Sequence, residues 1–391
     1  MKILYILMIF ILLAGSAFAC SMFTKTVDGK TLIANNEDWN DPNTYVWFEP
    51  GEGNEYDCMF VGYENLFPQG GLNEAGLYFD GFATAPKPIK KSLDKPLFDG
   101  WLNSHVMKTC ATIDEVISIF DEFNLQFLER AMFMFVDKTG DAVIIEGDEY
   151  IRKKGDSQIV TNFYQSLVPE GMEYPCERYN MLVPMMQECE VSVADFRKAL
   201  AAVHAEGEYP TIYSNIIDPN ALVMFLYHFH NFENVAVIDM KEEMAKGYHV
   251  VEMSTLFPKT YAFERYVQQL ETTLARVLRK IINEDGLLTA LDAYEEQKSS
   301  KGSDETYPIN EYELNILGYL YLNEGRFDEA IAIFKINVEN FPDHCNCYDS
   351  LGEAYMTAGM KDLAIINYTK ALELNPDYPS SRDALKILMN E

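Results

Sequence analysis

Basic residues are scarce in this chain relative to acidic ones. Its 391 residues include 31 Lys and Arg against 61 Asp and Glu, which gives a formal net charge of −30 at pH 7. A charge of this sign repels nucleic-acid phosphates and anionic membrane surfaces. We therefore expect no nucleic-acid partner. A second long apolar run is also lacking after the first 14 residues, so we expect no membrane span once that segment is removed.

Motifs typical of metal sites are lacking as well. The seven cysteines include no CxxC pair, and the six histidines include no HExxH. His228 and His230 alternate, which predicts that they share one face of a strand. This spacing suits a metal pair, but no third ligand is evident, and a polar strand edge is the favoured interpretation. We expect no metal and no cofactor; disulfide pairing among the six cysteines after Cys20 stays open.

The N-terminus has the pattern of a secretory signal peptide over residues 1–19. Lys2 precedes an apolar run from Ile3 to Ala14, and the small-x-small sequence Ala-Phe-Ala stands directly before Cys20. Cleavage there would give Cys20 a free α-amine, with an ordinary pKa of about 8, beside a thiol with one of about 8.5. We therefore expect a protein exported to a periplasm or out of the cell, with a nucleophile and a base on one residue.

Two other interpretations of Cys20 compete with a nucleophile. In a lipoprotein the cysteine is acylated and only anchors the chain, but such sites favour Leu three residues earlier and a small residue two earlier. This chain has Ala17 and Phe18 at those positions. Alternatively, cleavage falls elsewhere and Cys20 is incidental.

A 34-residue repeat marks the C-terminal part of the chain. Seven residues recur at this offset: Leu317, Gly318, Tyr321, Gly325, Ala330, Phe334 and Pro342 return as Leu351, Gly352, Tyr355, Gly359, Ala364, Tyr368 and Pro376. The period and the residues are those of tetratricopeptide repeats, in which small residues lie where two helices approach closely. We predict repeats at 311–344 and 345–378 within an all-α domain at 266–391, which offers a surface for a protein partner or for self-association.

Residues 20–265 predict an α+β domain. Short β-rich segments alternate with turns, and Asp28-Gly29 marks the bend of a first hairpin. Hairpins with helices grouped between them favour two sheets faced by helices. The predicted helices lie at 97–107, 112–120, 177–188 and 193–205, with one long helix at 263–282.

An N-terminal thiol requires a group that holds its amine, an oxyanion donor and a positive charge. Asp38 ends the strand that returns from the first hairpin, where a carboxylate can hold the amine. Asn162 follows a predicted strand and offers an amide to an oxyanion. Arg178 begins a helix and offers a charge that favours thiolate. Taken singly, each residue has a more common role: turn cap, turn residue or surface ion pair.

The order of these segments resembles a known family. The sequences CSMF at 20–23, NNEDW at 35–39, GLNEAGL at 71–77, VTNF at 160–163 and ERY at 177–179 follow one another along the chain. Together they resemble the cholylglycine hydrolase and penicillin V acylase group of N-terminal nucleophile (Ntn) hydrolases, which is related to the acyl-CoA:6-aminopenicillanate acyltransferases. The resemblance implies a four-layer αββα sandwich over residues 20–265.

The resemblance also implies roles for the site residues. Cys20 would be the nucleophile, Asp38 its orienting carboxylate, Asn162 the oxyanion donor and Arg178 the arginine near the thiol. Two departures put bile salts and penicillin V in doubt as substrates. Asn35 stands where the bile-salt enzymes have an arginine. The second oxyanion asparagine is missing, so a backbone N–H near Phe82 or Ala83 would replace it.

The expected activity is cleavage of a linear amide bond of a small-molecule N-acyl substrate, through a thioester on Cys20. The expected substrate-binding residues are Asn35, Trp39, Phe82 and Ala83, although core packing is the more common role of such aromatic residues. The alternatives are an acyltransferase or a dipeptidase of the same superfamily, or a non-catalytic tetratricopeptide lipoprotein anchored through Cys20.

Overall fold

The computed structural model describes residues 20–391 except 170, 208, 272, 300–310, 377 and 391. The predicted signal peptide lies outside the described residues. The chain divides into two compact units, of which the first ends at Thr260 and the second begins at Tyr261. No helix among the described residues is long and apolar enough to cross a membrane. All seven cysteines, each of them in the described part, are unpaired.

The first unit is built on two antiparallel sheets. Its strands are β1 (Ser21–Val27), β2 (Lys30–Asp38), β3 (Thr44–Glu49), β4 (Cys58–Tyr63), β5 (Pro68–Asn73), β6 (Tyr78–Ala83), β7 (Ala131–Val136), β8 (Ala142–Glu146), β9 (Glu149–Arg152), β10 (Ser157–Thr161), β11 (Thr211–Asp218), β12 (Val223–His228), β13 (Asn231–Asp239) and β14 (His249–Glu252). In the described chain one sheet has the order β10-β1-β2-β11-β12-β13, and the other has the order β14-β3-β4-β5-β6-β7-β8-β9.

The first hairpin forms as its sequence predicts. Asp28 and Gly29 connect β1 to β2 with φ angles of 51° and 78°. Two consecutive residues in the left-handed region make a turn whose twist matches that of the flanking strands, and Asp-Gly is a favoured pair there. The turn fixes the register in which Ser21 at the start of β1 faces Asn36 near the end of β2.

Helices cover the outer faces of both sheets. The helices of this unit are α1 (Leu102–Thr109), α2 (Ile113–Phe120), α3 (Glu177–Glu188), α4 (Val193–Ala202) and α5 (Met240–Met244). Leu32 and Ala34 of β2 pack with Leu182 of α3 and Phe196 of α4. On the other sheet, side chains such as Phe79 pack in a second apolar cluster with residues of α1 and α2.

The inner faces of the two sheets lie against each other. The hydroxyl of Tyr63 in β4 donates to Glu37 in β2 at 3.0 Å, and the hydroxyl oxygen of Tyr78 in β6 lies 3.1 Å from the side-chain oxygen of Asn215 in β11. Because strand residues alternate between faces, Glu37 and Leu32 point to opposite sides of β2. The layers therefore run helix, sheet, sheet, helix, and the predicted αββα sandwich is confirmed.

The bounds of two predicted helices need correction. The helix predicted at 97–107 begins only at Leu102, because Gly100 takes a φ of 107° that no helix continues through. The helix predicted to reach residue 205 ends at Ala202, where the His204 side chain bonds the carbonyl of Ala201. The helix predicted at 177–188 has these bounds in the structure.

The second unit is helical. Its described helices are α6 (Tyr261–Glu271), α7 (Leu274–Asp285), α8 (Leu287–Ser299), α9 (Glu311–Asn323), α10 (Phe327–Asn340), α11 (Cys345–Thr357), α12 (Lys361–Leu374) and α13 (Pro379–Asn390). The single helix predicted at 263–282 is wrong, because Thr273 interrupts it. The Thr273 hydroxyl accepts a bond from the backbone N–H of Arg276 and caps α7.

Each predicted repeat is a pair of helices in close contact. A Cβ added to Gly318 of α9 would lie 2.4 Å from a ring carbon of Phe334 in α10, and one added to Gly352 of α11 would lie 2.9 Å from Tyr368 in α12. The two glycines occupy equivalent repeat positions, and each lets an aromatic ring rest on the helix backbone. The close contact between ring and backbone therefore explains why glycine recurs at this position in both repeats.

We predict that Gly318→Ala lowers the stability of the second unit by about 1–3 kcal/mol. The added methyl group overlaps the Phe334 ring, and this overpacking outweighs the roughly 1 kcal/mol gain in helix propensity. Thermal unfolding of the full chain, followed by circular dichroism, measures the effect. Gly352→Ala is the matched control, with a smaller expected loss because its overlap is milder. A Gly318→Ala variant that is as stable as the wild type would contradict this packing argument.

Candidate active site

The pairing of β1 brings together residues that are distant in sequence. Ser21 faces Thr161 of β10 on one side and Asn36 of β2 on the other. Cys20 precedes Ser21 by one residue, and antiparallel pairing sets it at the same end of the sheet as Asn162 and Glu37. The candidate site thus forms where three segments end together.

The thiol of Cys20 is enclosed and faces carboxyl groups. Its side chain is 7% exposed, and Sγ lies 3.7 Å from Oε2 of Glu37 and 3.9 Å from the backbone oxygen of Asp38. Burial raises the pKa of this thiol well above its usual value, and the charges of Glu37 and Asp38 raise it further. In this environment the sulfur carries its proton at neutral pH.

Arg178 contacts Asp38 and Asn162. Its Nη1 donates to Oδ2 of Asp38 at 3.3 Å, and its Nη2 donates to Oδ1 of Asn162 at 3.4 Å. The Thr211 hydroxyl donates to the other oxygen of Asp38. Burial raises the pKa of Asp38 well above its usual value, while Arg178 and Thr211 act against this rise. The contacts of Arg178 are thus with Asp38 and Asn162, and its effect on the pKa of the thiol stays a prediction.

Asn162 has a fixed side-chain orientation. Its Nδ2 donates to the backbone oxygen of Ala83 at 2.9 Å, while its Oδ1 accepts from Arg178. An amide nitrogen has two hydrogens, so the contact with Ala83 leaves Nδ2 a second one to donate. Ala83 contacts Asn162 through its backbone carbonyl. The sequence-based expectation was instead that a backbone N–H near Ala83 serves as the second oxyanion donor.

The other expected substrate-binding residues differ in their surroundings. Asn35 and Phe82 are buried in β2 and β6, on the faces turned toward the opposite sheet. The Asn35 amide favours the charged form of Glu37 but makes no hydrogen bond of ordinary geometry among the described residues. Trp39 is partly exposed, and its ring lies 6.0 Å from that of Tyr209.

Sequence reasoning missed the buried carboxyl groups of Glu37 and Asp80. Burial raises the pKa of Glu37 to about 7, although hydrogen bonds from Tyr63 and Cys20 act against this. Asp80 accepts from Tyr78 at 3.0 Å; burial and then the charge of Glu37 raise its pKa well above the usual value. Strand alternation places Glu37 on the same face of β2 as Ile33, but it does not show which residues of the other sheet that face meets.

The predicted strand face shared by His228 and His230 is wrong. β12 ends at His228, and His230 lies in the turn before β13 with a φ of 45°. Left-handed backbone interrupts the alternation on which the prediction relied.

Comparison with known proteins gives different matches for the two units. A family model described as tetratricopeptide repeat matches residues 314–335 and 346–378, which confirms the predicted repeats. Superkiller complex protein 3 of Mus musculus and of Homo sapiens is 40% identical over 60 residues, 15% of this chain. The chain spans about 4% of the length of these curated relatives.

The structural neighbours include members of the group that the motifs resemble. A mutant conjugated bile acid hydrolase from Clostridium perfringens is 15% identical, with a TM-score of 0.44 over 62% of this chain and 97% of that chain. Penicillin V acylase from Agrobacterium tumefaciens is 16% identical, with a TM-score of 0.45 over 59% of this chain and 90% of that chain. At this identity the similarity concerns the fold.

We predict that Glu37→Gln stabilises the first unit above neutral pH. The folded pKa of Glu37 is raised from 4.5 to about 7, so its contribution to stability is complete below pH 4.5 and is lost as the pH rises through 7. An uncharged amide has no proton to lose in this pH range and so avoids that loss. The expected gain at pH 8 is on the order of 1–3 kcal/mol, with little change at pH 4.5.

Thermal unfolding at a series of pH values measures this difference. Glu64→Gln, at an exposed turn position after β4, is the matched control and should keep the wild-type pH dependence. Parallel pH profiles for Glu37→Gln and the wild type would show that Glu37 does not titrate as a buried carboxyl group.

Proposed function

We propose that the first unit is an amide hydrolase in which Cys20 attacks the carbonyl carbon of a linear N-acyl amide. The observation that carries this proposal is the convergence of the Cys20 thiol, the Asp38–Arg178 ion pair and the Asn162 amide. They meet at one end of the sheet that contains β1. These are the residue types that cysteine-dependent acyl transfer requires: a nucleophile, an orienting carboxylate and an oxyanion donor.

The charge balance of the site supports an N-terminal ammonium on Cys20. Glu37, Asp38 and Asp80 bring three buried carboxyl groups to the region, and Arg178 brings a guanidinium. Buried carboxylates are costly without positive partners. Removal of residues 1–19 would place an α-amino group beside Asp38. In its protonated form this group offsets a carboxylate charge, and in its neutral form it serves as a base.

The proton of the thiol determines the order of steps. Because burial and the carboxyl groups raise the pKa of the Cys20 thiol, a base must remove its proton as the sulfur attacks. In our proposal the neutral α-amine takes this proton and the S–C bond forms. The resulting ammonium then donates the proton to the departing nitrogen as the C–N bond breaks. Water attacks the thioester, releases the acid and restores the thiol.

The developing oxyanion requires hydrogen-bond donors. The second hydrogen of Asn162 Nδ2 is the donor that we assign, since the first is held by the Ala83 carbonyl. Arg178 fixes the oxygen end of the same amide and so prevents it from rotating. We assign the other donor to a backbone N–H near Phe82.

The buried groups around the thiol favour an uncharged acyl chain. An anionic acyl group would meet Glu37 and Asp80, while Asn35 supplies no positive charge where the resembling enzymes carry an arginine. Phe82 and Trp39 offer apolar contact area. Either water or an amine accepts the acyl group from Cys20. The proposal also includes export of the protein and binding of a protein partner by the repeats.

We predict that Cys20→Ala and Cys20→Ser lower the turnover of N-acyl amides by roughly 10³-fold or more, because the acyl-enzyme can no longer form as a thioester. A panel of N-acyl amino acids and N-acyl ethanolamides, with release of the amine as readout, measures turnover. Intact-mass analysis of the wild type during turnover should show an adduct of the acyl mass on Cys20. Cys345→Ser, in the second unit, is the control and should retain activity.

The same mass measurement separates the enzyme from its lipoprotein alternative. A chain that begins with an unmodified Cys20 agrees with the proposal. A diacylglyceryl adduct on Cys20, or full turnover by Cys20→Ala, would rule the mechanism out.

We predict that Asn162→Ala lowers kcat about 10²- to 10³-fold with a much smaller change in KM, because an oxyanion donor acts mainly in the transition state. Asn65→Ala is the matched control. The Asn65 side chain accepts from the backbone N–H of Phe67 in an exposed turn, which is the ordinary role of a turn asparagine. Equal kinetics for the two variants would assign Asn162 a turn role only.

A further inference from the structure

Three potential ligands meet at the edge of the first unit, outside the candidate active site. His204 follows α4, Glu206 lies in the loop after it, and His230 lies in the turn between β12 and β13. One ligand atom from each residue lies within 4.8 Å of the other two. The rings of His204 and His230 are nearly parallel, with centroids 5.3 Å apart. These are side chains that bind divalent transition metals.

The hydrogen bonds of His204 define which nitrogen faces the cluster. Its Nδ1 lies 2.7 Å from the backbone oxygen of Ala201, which can only accept, so Nδ1 carries a proton. In the neutral ring, Nε2 then has a lone pair, and it lies 3.2 Å from Oε1 of Glu206. Two acceptors at this distance require a positive centre, either a proton or a cation. A backbone carbonyl on the far nitrogen is the usual support of a metal-bound histidine.

The distance between the two acceptors suits a tetrahedral ion. Ligands at the usual zinc bond lengths of about 2.0–2.1 Å, spread at the tetrahedral angle, lie roughly 3.3 Å from each other. The observed separation of His204 Nε2 and Glu206 Oε1 is 3.2 Å. We propose that His204, Glu206 and His230 bind a divalent transition cation of the zinc type, with water as the fourth ligand.

The turn that carries His230 is built from unusual residues. Phe229 and His230 have φ angles of 47° and 45°, so both adopt the left-handed backbone of a two-residue hairpin turn. Asn and Gly are the preferred residues there, and larger side chains are strained in this conformation. A ligand bond to His230 would offset part of this strain.

The cluster is connected to the candidate active site through one loop. Within residues 204–211, the backbone N–H of Ala205 donates to the Thr211 hydroxyl oxygen, and that hydroxyl donates to Asp38. The backbone oxygen of Pro210 accepts from the N–H of Trp39. An ion on His204 and Glu206 would hold the start of the loop whose end supports Asp38, so its role is structural.

Titration of the metal-free full chain, without a histidine tag, tests the proposal. We expect one equivalent of Zn²⁺ to bind and to raise Tm, and Co²⁺ to give the absorption bands of a tetrahedral site. His204→Ala and His230→Ala should each weaken Zn²⁺ binding at least tenfold and abolish the Tm shift. Because Zn²⁺ binding is measured without substrate, it should survive in Cys20→Ala, and the result is independent of the amide hydrolase proposal.

His249→Gln is the matched control. His249 Nε2 lies 2.9 Å from Oε2 of Glu243, and its Nδ1 lies 2.8 Å from the oxygen of Gly247, so the pair repeats the geometry of His204 and Glu206 without belonging to the three-ligand cluster. This variant should bind Zn²⁺ like the wild type. Absence of stoichiometric binding, or equal affinity in His230→Ala, would show that His204 and Glu206 form only a proton-mediated pair and would overturn the proposal.

Discussion

The pairing of β1 between β10 and β2 is the constraint on which the candidate active site depends. Ser21 is held from both sides, by Thr161 and by Asn36, and Cys20 extends from that fixed point. A slip of one residue in either ladder would turn the side chains of a strand to its other face. The distance from the thiol to Glu37 is therefore a property of sheet register, and the Asp28-Gly29 turn at the opposite end of the hairpin sets that register.

This arrangement concentrates negative charge in the interior. Glu37, Asp38 and Asp80 are all buried, and their folded pKa values are raised because burial disfavours their charged forms. Each carboxyl group has a donor: Tyr63 for Glu37, Thr211 with Arg178 for Asp38, and Tyr78 for Asp80. The donors reduce the cost of burial without removing it. These buried carboxyl groups lower the stability of the fold as the pH rises and they lose their protons. The same groups would stabilise the positively charged amine that we propose at Cys20.

Local signals made part of this architecture predictable. The 34-residue period identified the repeats, because equivalent glycines meet equivalent aromatic rings in both. Motif order singled out Asp38, Asn162 and Arg178, and the structure brings these residues together. The break at Thr273 was missed because apolar spacing continues across it, whereas the Thr273 hydroxyl caps the start of α7. Glu37 was missed because its significance depends on Tyr63 in another sheet, a contact that no spacing within β2 encodes.

The candidate metal cluster was also not predictable from the sequence, because its three residues come from different segments of the chain. His204 and Glu206 come from the segment that follows α4, whereas His230 comes from a turn that sequence alternation assigned to a strand. The cluster exists only because β11, between Asp38 and the β12 hairpin, joins both regions to one sheet. Thr211 begins β11 and bonds Asp38, while Tyr213 pairs with His228 at the end of β12. Ala205 and Asp38 are thus linked by hydrogen bonds through the Thr211 hydroxyl, and the contacts that support Asp38 extend toward the edge of the domain.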